Sequence, residues 1–344
     1  MMIQINDFDY QNATEEAYEA LSRCRNLIRA EQLPDDPPIP VEEMIQEYQN
    51  IPSFVDLSYW AASDGQSRDI VAFGTLQTTM KDNLHMAIFM ICVLPEFRQL
   101  GIGRDILSRI VQAAQQEKRS LLITFTTDRI PAGEAFLERI GAQRGLEQHT
   151  NQLIIADLDP NLLTGWQEKA RERGVGFEIG LWEGQYPEED IEAIVELYDL
   201  LNQMPFGDLE IEKFVFTAEQ LRQEELNLFA RGYERWTVYV RERETGAFAG
   251  YTEVFWNPNR PEIIGQGITG VFPEFRNKGL GRWLKASMLQ KILEERPQAK
   301  YIRTGNADMN APMLKINNEL GFKPYFAECI WQVETDKAAE YLAE

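Results

Sequence analysis

The chain has 344 residues, of which 44% are hydrophobic, and a formal net charge of −21 at pH 7. That length suits two domains, and the negative charge argues against nucleic-acid binding because a phosphate backbone would be repelled. The longest apolar run, residues 86–94, is too short to span a membrane. We expect a cytoplasmic protein, monomeric or homodimeric, that binds neither nucleic acid nor membrane.

The chain contains few cysteines and histidines. It has three cysteines, Cys24, Cys92 and Cys329, and two histidines, His85 and His149. Their spacing matches neither a disulfide framework nor a zinc site. We therefore expect no metal, and we expect the two histidines to be surface or packing residues rather than parts of a catalytic triad.

The first half of the chain alternates between strand and helix patterns. A strand is predicted over residues 3–5 and a helix over 14–28. A strand hairpin follows within residues 54–77, with its turn at Gly65. A further strand, 87–93, leads into an amphipathic helix, so this half is predicted to be mixed α/β.

The second half repeats this order. The sequence VLPEFRQLGIGR begins at Val93 and VFPEFRNKGLGR at Val271, with eight of twelve positions identical and an offset of 178 residues, 271 − 93. A repeat of this length indicates two copies of one domain rather than a solenoid. We predict a mixed α/β fold with domains at 1–158 and 176–344, joined by a linker at 159–175.

The repeated stretch carries an R-x-x-G-x-G loop between a strand and a helix. Glycines let the backbone adopt crowded or left-handed conformations, and the free N–H groups of a helix N-terminus attract phosphate. A tight strand-to-helix turn alone would also explain one such loop. Two copies with the same flanking residues favour a phosphate-binding function in both halves.

The pattern V-x-P-x-x-R-x-x-G-x-G resembles the acetyl-CoA signature of the GCN5-related N-acetyltransferase (GNAT) family. The resemblance implies two tandem GNAT-like domains, acetyl-CoA as cosubstrate, and a V-shaped separation of two strands that admits the cosubstrate. The residues that it implies for acetyl-CoA binding are Ile91, Val93, Arg98, Gly101, Ile102, Gly103 and Arg104 in the first half, and Thr269, Gly270, Val271, Arg276, Asn277, Lys278, Gly279, Leu280, Gly281, Arg282 and Asn310 in the second.

The last helix of each half separates the two copies. Members of the family carry N-x-x-A-x-x-x-Y-x-x-x-G-F there, and the tyrosine protonates the leaving thiolate. Counting back from the closing glycines places Asn310 and Asn317 on the Asn and Tyr positions of the second half, but Ile130 and Leu137 on those of the first. Apolar side chains can neither hydrogen-bond pantetheine nor donate a proton, so we predict catalysis in the second half. The first half is expected to bind acetyl-CoA without turnover or to be a structural partner.

Acetyl transfer to an amine needs a base, and Glu253 is the candidate. It lies on a predicted strand beside the acetyl-CoA strand, where apolar neighbours would raise its pKa. A solvent-facing role for Glu253 is equally compatible with the sequence, and Glu262 or a water relay are alternatives. Asn317 cannot act as an acid, so Tyr325 or Tyr251 are candidates for protonating the thiolate.

Thr269 offers a hydroxyl beside the thioester, or is simply a β-branched strand residue. The amide-rich run around Asn317 is also explained in part by capping of the last helix through Asn306 or Asp308.

The acceptor site is expected among the N-terminal helices of the second half. Residues 204–206 offer an apolar wall, and Asp208, Glu210 and Glu212 would either attract a cationic amine or simply solvate a surface loop. The predicted activity is acetylation of the amine of a small molecule or peptide. A non-catalytic acyl-CoA sensor is the alternative, while a donor such as aminoacyl-tRNA is disfavoured by the acidic charge.

Overall fold

The computed structural model describes residues 3–65 and 69–344. Its strands are β1 (Ile3–Asp7), β2 (Val55–Asp64), β3 (Ile70–Thr79), β4 (Met86–Val93), β5 (Leu121–Thr127), β6 (Gln143–Ile154), β7 (Phe177–Glu183), β8 (Glu234–Glu242), β9 (Phe248–Trp256), β10 (Ile263–Val271), β11 (Tyr301–Ala307) and β12 (Lys323–Glu334). Its helices are α1 (Glu15–Gln32), α2 (Val41–Gln49), α3 (Ile102–Gln116), α4 (Pro131–Arg139), α5 (Pro160–Arg173), α6 (Ile191–Tyr198), α7 (Ala218–Ala230), α8 (Leu280–Glu295), α9 (Ala311–Leu320) and α10 (Thr335–Ala343).

The described chain forms two compact units. The first unit contains the described residues up to Glu147, together with Phe206–Lys213 and Ala327–Glu344. The second unit contains Gln148–Pro205 and Phe214–Phe326. The units therefore do not follow the two halves of the sequence, because each unit includes a segment from the other half.

The first unit has the strand order β1-β2-β3-β4-β5-β12, and the second has β6-β11-β10-β9-β8-β7. In each unit one neighbouring pair is parallel, β4 with β5 and β10 with β11, and the other described pairs are antiparallel. The same strand order with one parallel pair in each unit confirms the predicted mixed α/β fold built from a duplicated domain.

The halves exchange their last strands. Residues 148–154 of β6 pair with β11 in the second unit, and residues 328–334 of β12 pair with β5 in the first. The helices that follow, α5 and α10, go with these strands and pack on α8 and α3. The residues predicted as a linker are therefore largely the helix α5. Asp159 caps this helix by accepting the Asn161 N–H at 2.9 Å, and its buried face includes Trp166.

The helices α3 and α8 follow the repeated loops and supply the core of each unit. Ile106, Leu107 and Ile110 of α3 are fully buried, as are Leu284 and Ile292 of α8, which confirms the predicted apolar faces. In addition, α8 buries a lysine, Lys285. None of the described helices is long and apolar enough to cross a membrane.

Candidate active site

The two glycine loops have the same backbone conformation. Gln99 and Gly101 have φ of 61° and 87°, and Asn277 and Gly279 have φ of 65° and 82°, so each loop places two residues in the left-handed region. A Cβ built on Gly101 or Gly279 meets no heavy atom within 4 Å. Each loop thus opens onto free space directly before the N-terminus of α3 or α8, as an anion-binding turn requires.

The motif arginines brace these loops. Arg98 Nε donates to the Val93 carbonyl at 3.0 Å, and Arg276 Nε donates to the Val271 carbonyl at 2.9 Å. The guanidinium of Arg98 also forms an ion pair with Glu31, whereas that of Arg276 donates to the neutral side chain of Gln203. Arg98 is therefore neutralised by a carboxylate, while Arg276 keeps its positive charge at the loop.

The next pair of predicted ligands is also engaged within the protein. Arg104 donates to the carbonyl of Leu342 at 2.9 Å, near the C-terminal end of α10. Arg282 forms two hydrogen bonds with Glu319 and lies over the ring of Trp166. In both units the first turn of the helix after the glycines is thereby fixed to the exchanged helix or to the last helix of the repeat.

The second loop is the more basic one. Lys278 replaces Leu100 in the motif, and the first turn of α8 lacks an acidic residue where α3 has Asp105. A cavity of about 250 Å³ beside Gly279 is lined by Trp166, Lys169, Ala170, Arg173, Arg282 and Glu319. Lys169 and Arg173 form no ion pair with the described residues. These cations favour phosphate binding at the second loop.

The predicted separation of the two parallel strands is confirmed in both units. β4 pairs with β5 only from Met86 to Ile88, and β10 pairs with β11 only from Ile263 to Gly265. In the first unit the gap contains a cavity of about 340 Å³, which Ile91 helps to line. The strand ends that carry the predicted pantetheine ligands therefore lie free of their parallel neighbour.

The acetyl-CoA strands differ by one inserted residue. In the first unit Gly74 pairs with Ile91 and Leu76 with Phe89, so between these two pairs each strand has one residue. In the second unit Thr252 pairs with Thr269 and Val254 with Gln266. Between these two pairs β9 has one residue and β10 has two. This β-bulge places Gly267 and Ile268 opposite Glu253, and a bulge of this kind bends the strand and re-aims its groups.

Glu253 is buried at this bulge, with 8% of its surface exposed. The Ile268 N–H donates to its carboxylate, and its Oε2 has no hydrogen-bond partner among the described residues. Burial raises the pKa of Glu253 to about 7, against the opposing effect of the Arg235 charge. A carboxyl group with this pKa is suited to accepting a proton near neutral pH.

The side chains around Glu253 are aromatic and polar. Tyr251 shares its face of β9, and the Tyr251 ring stacks on Tyr198 at 6.0 Å between centroids. Tyr186 lowers the pKa of Glu253, and its hydroxyl lies 3.3 Å from the Tyr198 hydroxyl, oxygen to oxygen. Arg235, whose charge lowers the pKa of Glu253, also forms an ion pair with Glu225 of α7. Glu253 is thus left as a proton acceptor within an aromatic enclosure.

The predicted Tyr position, Asn317, is buried in a cluster of three amides. Asn317 Nδ2 donates to Asn306 Oδ1 at 2.7 Å, and Asn151 Nδ2 donates to the same oxygen at 3.3 Å. Asn317 Oδ1 has no partner among the described residues. Asn310, rather than Asn306 or Asp308, caps α9, since its side chain accepts the Met313 N–H at 3.4 Å.

Two other predicted residues have partners within the second unit. The Thr269 hydroxyl is 2.7 Å from the Thr252 hydroxyl, so it is not simply an apolar strand residue. The Tyr325 hydroxyl accepts a hydrogen bond from Arg303 Nη2 at 3.4 Å, and Arg303 lies over its ring. Gly270 packs against Leu200, and Leu280 begins the buried face of α8.

The acidic segment predicted for the acceptor pocket belongs to the first unit, contrary to its predicted place in the second half. The Asp208 N–H donates to the Gly145 carbonyl at 2.8 Å, and the Glu210 N–H donates to Gln332 Oε1 at 2.9 Å. The side-chain oxygen of Asn83 accepts the Glu212 N–H at 2.7 Å. Backbone hydrogen bonds of this kind fix the segment as a docked extended loop.

Sequence reasoning missed three buried polar groups of the second unit. Arg235 lies on β8, a strand that was predicted from its apolar residues, and Glu225 lies on α7, a helix that was not predicted. Lys285 lies on α8, which was predicted from its apolar face. Aligning the halves with the offset of 178 sets Lys285 against Leu107 and Glu253 against Thr75. For Lys285, a polar residue at a position that is apolar in the other copy was the available signal.

Comparison with known proteins agrees with this geometry. Residues 16–142 match the model of the Acetyltransferase (GNAT) family. A tandem GNAT protein from the clavulanic acid biosynthesis pathway is 23% identical, with a TM-score of 0.77 over 97% of this chain and 99% of that one. A GCN5-related N-acetyltransferase from Sphaerobacter thermophilus is 12% identical, with a TM-score of 0.66 over 97% and 96% of the two chains.

N-myristoyltransferase from Saccharomyces cerevisiae has a TM-score of 0.59 at 11% identity, covering 96% of this chain and 82% of that one. No curated protein matches this sequence. The family match in the first half and the fold of the whole chain support acyl-CoA-dependent N-acyltransferase activity. Residues 16–142 match the GNAT family, and the whole chain has the fold of a tandem GNAT protein.

Proposed function

We propose that the second unit transfers the acetyl group of acetyl-CoA to the amine of a small molecule or peptide. The observation that carries this proposal is the buried Glu253 at the bulge of β10. Thr75 occupies the matching position of the first unit, where β3 and β4 pair without a bulge. Only the second unit therefore combines a buried carboxylate with a displaced stretch of acetyl-CoA strand.

The donor is proposed to bind with its phosphates at the Gly279 loop. The left-handed backbone of Asn277 and Gly279 leads into the free N–H groups of Leu280 and Gly281. Lys278 and the cations of α5 add positive charge at this end. The end of β10 from Thr269 to Val271, which does not pair with β11, is proposed to run beside the pantetheine arm.

Glu253 is proposed to take the proton of the acceptor ammonium, since an amine with a pKa of about 10 is protonated at neutral pH. The released lone pair forms the C–N bond, and the C–S bond breaks as the thiolate leaves. Acetyl-CoA supplies the thioester that makes this exchange favourable. Tyr186, Tyr198 and Tyr251 enclose the ammonium, since aromatic faces attract cations.

The thiolate is proposed to leave toward the amide cluster. Asn317 occupies the position of the family tyrosine and offers a hydrogen-bonding amide, but no acidic proton. Tyr325 remains the candidate for returning a proton to sulfur.

The absence of a tyrosine at Asn317 and at Leu137 is the observation that favours the second candidate function, a non-catalytic acyl-CoA sensor.

The first unit is proposed to bind an acyl-CoA without turnover or to serve as a structural partner. It keeps the loop and a cavity between its separated strands, but Leu137 and Ile130 replace the amides of the second unit. We keep residues 1–158 and 176–344 as the proposed bounds of the duplicated halves of the sequence. Each half supplies a strand, β6 or β12, to the sheet of the other half.

The test begins with calorimetric titration of acetyl-CoA into the full chain, followed by thiol release against a panel of aliphatic, aromatic and peptide amines. Amine-dependent CoA release, with the acetylated amine identified by mass spectrometry, is expected. Saturable binding with no CoA release for any amine would contradict the enzymatic proposal and favour the sensor.

A further inference from the structure

Three buried polar side chains, Lys285, Gln266 and Thr252, meet the half-buried Thr269 beneath the bulge of the second unit. Lys285 Nζ donates to Gln266 Oε1 at 3.0 Å. Gln266 Nε2 in turn donates to Thr252 Oγ1 at 2.8 Å and lies 3.3 Å from Thr269 Oγ1. Lys285 and Thr252 are 1% and 0% exposed, so most of the network lies in the interior between α8 and the strands.

The first unit builds the same part of the fold without any of these groups. Leu107 matches Lys285 by the 178-residue offset, and Phe89 matches Gln266 by the strand pairing. Gly74 and Ile91 stand where the second unit has its two threonines. The fold itself therefore does not require the network, and its presence coincides with the bulge.

The network ties the bulge to the strand that carries Glu253. Gln266 Nε2 also donates to the backbone carbonyl of Glu253 at 3.2 Å, across the point where β9 and β10 lose their regular pairing. A lysine ammonium can only donate, so the charged form of Lys285 requires the Gln266 oxygen to face it and the amide NH₂ to face β9. Without Lys285 that oxygen would lose its partner, and the amide would be free to flip.

Burying this lysine is costly. Burial lowers the pKa of Lys285 to about 7, because water no longer stabilises its charge. Replacement of a buried charged group by an apolar side chain of similar size is often neutral or stabilising. A group retained against such a cost is a candidate for a functional role.

We propose that Lys285 is a positioning residue, which acts through Gln266 to hold the bulge and so keeps Glu253 in its catalytic position. This inference rests on the proposed function of the second unit. It assigns to Lys285 no contact with the donor or the acceptor.

The test compares Lys285→Met with Leu107→Met, the change at the matching position of the first unit. Lys285→Met is expected to lower kcat about tenfold or more, since small displacements of reacting groups have effects of this size, and to leave the KM for acetyl-CoA unchanged. The acid limb of the kcat/KM profile should move to higher pH, because loss of the Ile268 hydrogen bond removes an interaction that lowers the pKa of Glu253. Leu107→Met should change neither quantity.

Hydrogen exchange followed by mass spectrometry gives a readout that does not depend on turnover. Lys285→Met should speed exchange in the peptide covering residues 263–271, with an unfolding temperature equal to or above that of wild type. Unchanged exchange, or a lower unfolding temperature with an unchanged pH profile, would overturn the inference, since a merely structural lysine predicts the latter.

The outcome is separable from failure of the proposed function. If Glu253→Gln abolishes turnover while Lys285→Met retains wild-type kcat and pH profile, only the positioning role fails. If wild type releases no CoA with any amine, the proposed function fails. The exchange measurement then still decides whether Lys285 holds the bulge.

Discussion

The role of Glu253 as base predicts a coupled change in activity and stability on substitution. Glu253→Gln keeps the size of the side chain and an oxygen for the Ile268 N–H, but it cannot take up a proton. We expect kcat to fall by about 10²–10⁴, the usual contribution of general base catalysis. In wild type, the pKa of about 7 should make kcat/KM roughly tenfold lower at pH 6 than on the plateau.

The magnitude for stability follows from the same pKa. The pKa of the Glu253 carboxyl is raised from 4.5 to about 7 in the folded state, so the unfolded chain ionises first as pH rises. Folding stability is then lost from about pH 4.5 upward, with the full loss reached above about pH 7. A difference of about 2.5 pKa units corresponds to about 3 kcal/mol, of which about 2–3 kcal/mol falls between pH 5 and pH 8.

Denaturant unfolding of wild type and Glu253→Gln at pH 5 and pH 8 measures this term. The unfolding free energy of the variant minus that of wild type should be larger at pH 8 than at pH 5 by about 2–3 kcal/mol. CoA release over the same pH range gives the activity profile. The groups that face the carboxyl, Arg235, Glu224, Tyr186, Tyr198 and Tyr251, are common to both proteins. Wild-type turnover in the variant, or an acid limb near pH 7 that persists in it, would refute the reasoning.

Three further predictions concern the donor site and the fold. The double change Lys169→Ala with Arg173→Ala should raise the KM for acetyl-CoA at low salt, leave kcat unchanged, and lose its effect at high salt because the charges are exposed; a salt-independent change in kinetic assays would contradict this. Asn317→Leu, which copies the first half, should lower kcat with a folded circular dichroism spectrum, and full activity would remove the amide cluster from the mechanism. A chain of residues 1–158 should fail to unfold cooperatively on heating, because it lacks the strand and helix that complete its sheet; a cooperative transition would show that the exchange is dispensable.

The sequence predicted the parts of the fold that are repeated in it. The two glycine loops, the strands before them and the helices after them lie where the twelve-residue motif indicated. The helix α7 was missed because its buried residues include Gln220 and Glu225, which periodicity does not count as apolar. The helix α5 was taken for a linker, and its buried residues are only Leu163, Trp166 and Ala170.

The strand exchange could not be predicted from the sequence. Alternating side chains indicate that β6 and β12 are strands, but the pattern does not say which neighbour each one joins. The acidic segment at residues 206–213 was assigned to the second half for a similar reason. Its hydrogen bonds to Gly145, Asn83 and Gln332 join positions far apart in the chain.

The site was predictable where strand geometry alone decided it. Tyr251 and Glu253 are two residues apart on a strand, so they share a face, and the structure places both in one aromatic enclosure. The bulge depends on one extra residue in β10, and the network beneath it depends on Lys285. Both become visible in the sequence only once the strand pairing fixes the alignment of the two halves.

The central claim, that the second unit alone performs the transfer, is tested most directly by Gly279→Glu and Gly101→Glu. Both glycines are in the left-handed region with open space beside them, so the two changes carry matched backbone strain and differ only in which phosphate site they block. Measured as CoA release under saturating amine, Gly279→Glu is expected to abolish turnover and Gly101→Glu to retain most of it. Equal loss from both, or greater loss from Gly101→Glu, would contradict the assignment of catalysis to the second unit.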